Sequence, residues 1–222
     1  MASYDAMDCQ GKPVLELLSI GMIYGESTTI PLSESMVCVD IEEYPIDIRI
    51  DSTADVEAGA RFYINHITAL KNSAPDILFG YYGIGPLRDY WSPVSGLAED
   101  IALWQAANEA ISGVFDAQDI LFPSIYTFYD DQEGWRKYAS ANIAEARRIA
   151  KGKPIFPFVW NAFHPSTVLA GTALDYDYFY MELNYLKSLG VNGIVLWNSP
   201  VEQWSEDAGW CRAIRQFITD QS

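Results

Sequence analysis

The chain has 222 residues, half of them apolar, and 30 Asp and Glu against 14 Lys and Arg leave a formal net charge of −16. Such a composition can bury a core, so it is no disordered acidic tail, and its length suits a single α/β domain. So few cations cannot neutralise a phosphate backbone, which excludes nucleic acid as a partner and disfavours a polyanion laid along an extended groove.

Short apolar runs alternate with segments of helical spacing. After a weak candidate strand at Ala2–Met7, the first clear strand is Met36–Asp40 (MVCVD). Asp55–Asn72 then places Val56, Ala60, Tyr63, Ile67 and Leu70 on one helical face, with capping residues at Ser52-Thr53-Ala54-Asp55. A strand at Ile77–Tyr82 (ILFGYY) precedes a helix over Leu97–Ser112, carried by Ile101, Trp104, Ala107 and Ile111. Ile120–Tyr126 (ILFPSIY) leads to a helix at Gly134–Lys151, and Pro154–Trp160 (PIFPFVW) to one at Asp177–Leu189, stopped by Gly190. Asn192–Trp197 (NGIVLW) is the last strand.

These strands are apolar on both faces, as strands covered by helices on both sides must be. Strand alternating with helix predicts parallel βαβ units. No linker, repeat or low-complexity stretch divides residues 1–222, so they read as one α/β domain, a single (β/α) TIM-like barrel, distorted or seven-stranded if not a regular eight. Phe122-Pro123 and Phe156-Pro157 sit awkwardly in buried parallel strands, because Pro cannot donate to a ladder, and they predict irregular neighbours. Gly11–Ser35 holds too few residues for a full strand, helix and strand.

No apolar stretch approaches the roughly 20 residues that span a bilayer, so no membrane partner is expected. Cys9, Cys38 and Cys211 cannot all pair within one chain and form no CxxC, which argues against a disulfide framework or a structural zinc site. His66 and His164 lie far apart in sequence, so neither metal nor cofactor is expected. The start, MASYDAMDCQG, shows no basic and apolar signal-peptide regions. The expectation is a soluble, reduced, cytoplasmic or phage-encoded protein, secretion staying open through a trimmed leader. The sequence leaves the oligomeric state open.

In a parallel barrel the site gathers at the C-terminal strand ends. Those ends supply Asp40 and Glu42, then Tyr81 and Tyr82, Tyr126, Trp160 and Asn161, and finally Trp197 and Asn198. Acids beside aromatic rings suit a carbohydrate, which offers hydroxyls to the first and C–H faces to the second. On a strand, residues two apart point the same way about 6.6 Å apart. Asp40 and Glu42 would therefore repel, raising one pKa so that group holds its proton near neutral pH, as glycosidic cleavage requires. A D-x-E also arises by chance in so acidic a chain, and terminal Tyr and Trp often serve packing alone.

Five blocks then resemble one family in order. Asp40-Ile41-Glu42-Glu43-Tyr44-Pro45 is similar to the acidic strand motif of hyaluronidases, glycoside hydrolase family 56. Phe79-Gly80-Tyr81-Tyr82-Gly83 with Pro86, and Leu121-Phe122-Pro123-Ser124-Ile125-Tyr126, resemble its WGYYG and LYPSIY segments. Ala144–Ala150 with Pro154–Val159, and Gly193–Ser199 (GIVLWNS), resemble two further segments. The resemblance implies a substrate-assisted retaining glycosidase on a distorted barrel. Glu42 would be the acid/base, and Asp40 would hold the N-acetyl group whose carbonyl oxygen attacks the anomeric carbon. Tyr82 and Tyr126 match tyrosines that position that group, and Trp197 the tryptophan walling the subsite. Tyr81, Trp160 and Asn198 complete the expected substrate-binding set, and a polysaccharide or oligosaccharide is the expected partner.

This chain departs from the family in carrying Phe79 in place of Trp, in lacking counterparts of the family's disulfide cysteines, and in a shorter section before Met36. Its net charge favours a neutral or weakly charged polymer of N-acetylhexosamine over hyaluronan. Two other readings stand beside this one: a lysozyme-like muramidase, whose early motif Asp5 and Gln10-Gly11 faintly match, and a non-catalytic carbohydrate-binding or structural barrel.

Overall fold

The computed structural model describes residues 20–197 and 205–220. The candidate strand Ala2–Met7, the Asp5 and Gln10-Gly11 motif, Cys9, Asn198 and Ser199 lie outside the described residues.

Strands β1 (Gly21–Tyr24), β2 (Met36–Asp40) and β3 (Leu78–Tyr81) form a parallel sheet in chain order. Strands β4 (Phe158–Trp160) and β5 (Val195–Trp197) form a parallel pair with Trp160 opposite Trp197. Between the two groups runs the segment around Leu121–Ser124. It is joined in parallel to Tyr82 through Phe122, and to Ile155 and Phe158 through Leu121 and Ser124. Six parallel segments thus follow one another around an arc, and among the described residues no bridge joins β5 to β1.

The interruptions have the expected cause. Pro123 and Pro157 cannot donate, yet their carbonyls still accept from the Phe158 and Val195 N–H groups at 2.8 and 2.9 Å. The expected strand Ile120–Tyr126 is therefore reduced to isolated bridges, and the expected strand Pro154–Trp160 shrinks to β4.

The helices are α1 (Thr53–Ser73), α2 (Trp91–Ser95), α3 (Ala98–Ala110), α4 (Ser112–Ala117), α5 (Gln132–Ala150), α6 (Tyr176–Ser188) and α7 (Gly209–Thr219). Helices α1, α3, α5 and α6 match the periodic segments of the sequence. Side-chain caps fix three of their starts: Ser52, Asp131 and Asp175 accept from the N–H groups of Asp55, Gly134 and Tyr178. Strand β1 and helices α2, α4 and α7 are additional to the expected elements.

Alternation along β2 divides the interior in two. Val37, Val39 and Ile41 join the large outer core that the helices cover, with Tyr63, Ile67 and Phe79. Met36 and Cys38 face inward to a second cluster with Tyr82, Ile120, Phe122, Tyr126 and Phe158. Gly80 lets β3 approach its neighbour: a Cβ there would stand 2.2 Å from the Ile120 carbonyl oxygen.

Cys38 is free and buried, whereas Cys211 is disulfide-bonded, which corrects the expectation of a fully reduced chain. Among the described residues no helix is long and apolar enough to cross a membrane.

Candidate active site

Strand β2 ends at Asp40, whose side chain follows Cys38 onto the inner face. Asp40 is half-buried. Burial, then the charges of Glu42 and Glu43, push its carboxyl up to about 6. Glu42 lies beyond the strand end, exposed, on the same parity as Asp40 and near enough to act on it electrostatically. The expected pair is therefore together at the exit of β2. The intervening Ile41 is 1 % exposed, so the outer core anchors the pair from behind.

The loop carrying them is held by α1. The Tyr63 hydroxyl donates to the Ile41 carbonyl at 3.0 Å. Gly59 lets the helix press against Pro45, since a Cβ there would lie 1.9 Å from the Pro45 carbonyl oxygen.

Tyr82 leaves the end of β3 toward the inner face. Its hydroxyl is 3.0 Å from Ser124 Oγ, and its ring lies 5.8 Å from that of Tyr126. Burial raises the pKa of both phenols, so both are neutral at physiological pH. Glu42 and Asp40 act on Tyr82 and Tyr126 respectively, which places the acids and the phenols in one neighbourhood. The Tyr126 ring stands 5.4 Å from Trp160 in an edge-on arrangement. Trp160 and its strand partner Trp197 both pack, partly exposed, against the inner cluster. Six of the eight expected site residues thus converge at the C-terminal ends of the parallel segments.

Tyr81 does not. It points the opposite way from Tyr82, is fully buried in the outer core, and donates to the Tyr63 carbonyl at 2.9 Å while meeting His66 Nδ1 at 3.1 Å. Strand alternation forbids neighbours such as Tyr81 and Tyr82 from sharing a face. Asn198 lies outside the described residues.

Three residues enter that sequence reasoning passed over. Tyr24, opposite Asp40 in the β1–β2 register, feels its charge. His164 packs its ring 6.1 Å from both Tyr126 and Trp160, and burial lowers its pKa. Arg88 sits 5.4 Å over the Phe128 ring and acts on Tyr82 and His164. Only for Tyr24 was a signal within reach, in the short apolar run preceding it.

Hollows of about 300 and 310 Å³ open between outer helices, one beside Tyr180 and Tyr185, the other beside Trp104 and Gln105. Neither touches the acidic pair. No group of His, Cys, Asp or Glu among the described residues is arranged to hold a metal ion.

Comparison with known proteins places the chain in a family. A sequence profile of the hyaluronidase family, glycoside hydrolase family 56, matches residues 46–221, beginning just after the acidic pair. A hyaluronidase of Apis mellifera is 26 % identical over 205 residues, covering 86 % of this chain and 51 % of the relative. One of Polistes annularis is 24 % identical over 177 residues, covering 77 % and 47 %. The chain spans about half the length of these curated relatives. Crystal structures of bee venom hyaluronidase, one in a monoclinic form and one in complex with a hyaluronic acid tetramer, superpose with TM-scores of 0.62 and 0.64 at 18 % and 17 % identity. Each covers 83 % of this chain, and the chain covers 69 % and 67 % of them. The fold is that same α/β barrel architecture, and the chain belongs to the hyaluronidase family.

Proposed function

We propose that the chain is a retaining, substrate-assisted glycosidase acting on an N-acetylhexosamine-containing glycan, with Glu42 as acid/base and Asp40 orienting the acetamido group. The observation that carries this reading is the meeting of Asp40 and Glu42 with Tyr82 and Tyr126 at the ends of β2, β3 and the neighbouring segment.

In the first step the acetamido carbonyl oxygen attacks the anomeric carbon as the glycosidic C–O bond breaks. Glu42, exposed at the strand exit, gives its proton to the departing oxygen. Asp40 accepts the acetamido N–H, which offsets the positive charge growing on the cyclising group. The neutral phenols of Tyr82 and Tyr126 hold that group against the inner cluster. In the second step Glu42, now a carboxylate, takes a proton from the water that opens the ring. Two displacements at one carbon return the original configuration, and substrate assistance replaces an enzyme nucleophile.

The hyaluronic acid tetramer in a structural neighbour supports a hexosamine-containing glycan as substrate. The chain's −16 charge favours a glycan of low charge density. Reducing-end release from hyaluronan, chitooligosaccharides and peptidoglycan glycan, wild type beside Glu42→Gln, tests both statements. At least one N-acetylated glycan is cleaved, with a loss on the order of 10²- to 10⁴-fold in Glu42→Gln. Cleavage that survives the substitution refutes the assignment, and cleavage of hyaluronan alone refutes the low-charge preference.

A further inference from the structure

Trp91 is an outlier on the surface. It is 62 % exposed, and its ring lies 5.1 Å from that of Tyr129, itself 38 % exposed. Both rings rest on the buried Tyr90, 5.1 Å from each, and their outer faces are left to solvent at a cost in solubility. Yet the scaffold beneath them is rigid. Asp89 accepts from both the N–H and the hydroxyl of Ser92, at 2.8 and 2.9 Å, and pairs with Arg49. The buried Asn142 donates to the Asp89 carbonyl at 2.8 Å. Tyr90 is buried against Tyr138, Phe128 and Tyr129, and the Tyr178 hydroxyl fixes the Tyr129 carbonyl at 3.0 Å.

This pair is continuous with the candidate site. Tyr129 follows Tyr126 by three residues, so their Cα atoms are at most about 11 Å apart. The rings of Tyr90, Phe128 and His164 link it to Tyr126 and Trp160 through centroid distances of 6.0, 4.7 and 6.1 Å. Arg88, exposed and without an ion-pair partner among the described residues, lies over Phe128 midway along this row. An aromatic surface held in place before binding, polar at the Tyr129 hydroxyl and the indole N–H, suits the C–H face and hydroxyls of a pyranose.

We propose that Trp91 and Tyr129 form an outer subsite that stacks against a sugar unit of the same glycan, beyond the N-acetylhexosamine held by Asp40 and Glu42. The subsite rests on the glycosidase reading above, and it makes binding depend on chain length.

The test uses the full chain carrying Glu42→Gln, which binds without turnover. Dissociation constants are measured by calorimetry for tetra- and decasaccharides of N-acetylglucosamine and of hyaluronan. Adding Trp91→Ala weakens the decasaccharide by about three- to tenfold and leaves the tetrasaccharide unchanged. Tyr129→Ala acts in the same direction, and Trp91→Phe restores most of the loss. An equal loss at both lengths, or none at either, overturns the outer subsite while leaving the glycosidase reading intact. Failure of every oligosaccharide to bind the Glu42→Gln chain overturns both.

Discussion

The Tyr82 hydroxyl and Ser124 Oγ meet at 3.0 Å across the join between β3 and the proline-interrupted segment beside it. The contact fixes the phenol beside Tyr126, at a place where the ladder itself is reduced to single bridges. Tyr82→Phe is expected to lower kcat by roughly 10- to 100-fold, because a phenol that positions the attacking acetamido group is lost. Ser124→Ala is expected to cost only about 1 kcal/mol of stability and a smaller part of kcat, since the Tyr82 ring stays packed against Tyr126 and Phe158. Steady-state kinetics beside urea unfolding separate the two. An unaltered kcat in Tyr82→Phe removes that phenol from the mechanism.

Asp40 ties activity and stability to pH in opposite directions. Its carboxyl titrates at about 6 in the fold, raised chiefly by burial and then by Glu42 and Glu43. The acetamido N–H needs the ionised form, so kcat/KM falls as pH drops through about 6. Stability runs the other way. The folded state binds a proton that the unfolded chain has already released, so the cost of ionisation is absent below about pH 4 and complete above 6. Discounted for its partial exposure, that cost is about 1 kcal/mol. Asp40→Asn should therefore raise the urea midpoint at pH 7.5, leave it unchanged at pH 4, and abolish turnover. A variant less stable at pH 7.5 contradicts this account.

Gly59 inverts a general rule. In an exposed helix interior, Gly→Ala gains up to about 1 kcal/mol. In α1 the added methyl would sit 1.9 Å from the Pro45 carbonyl oxygen and force the acidic loop away from the helix. Gly59→Ala is expected to destabilise by roughly 1–3 kcal/mol and to lower kcat/KM through displacement of Glu42. Thermal unfolding that shows a gain would mean the loop yields freely.

The legible parts of this fold are those where burial and periodicity agree. Met36–Asp40 is read correctly because its apolar run and its position before Asp40 need no tertiary knowledge, and the same holds for the faces of α1, α5 and α6. Strand β1 is missed because GMIY is four residues long and its last member, Tyr24, is 55 % exposed. The pairing of Tyr81 with Tyr82 in one site contradicts strand alternation, which was itself readable. Arg88 and His164 carry no local signal at all: their place beside Phe128 comes from loops that fold back over the strand ends. The ring row from His164 to Trp91 likewise exists only in three dimensions.

Glu182 supplies a second proton linkage, distinct from Asp40. It is fully buried in α6, where one carboxyl oxygen accepts from the Thr127 hydroxyl, and burial pushes its pKa well above the usual carboxylate range. The native state thus holds a proton that the unfolded chain gives up above about pH 4.5, and stability falls as pH rises from there. Glu182→Gln keeps an acceptor for Thr127 and removes the titration. Above about pH 7.5, where both Asp40 and an ordinary His have all but finished titrating, the unfolding temperature of the wild type should continue to decline with pH, while that of Glu182→Gln stays nearly level and lies higher at pH 8. Parallel slopes in the two proteins over that interval would place the linkage on some other group and leave Glu182 ionised within the core, which its surroundings disfavour because they hold no facing cation among the described residues.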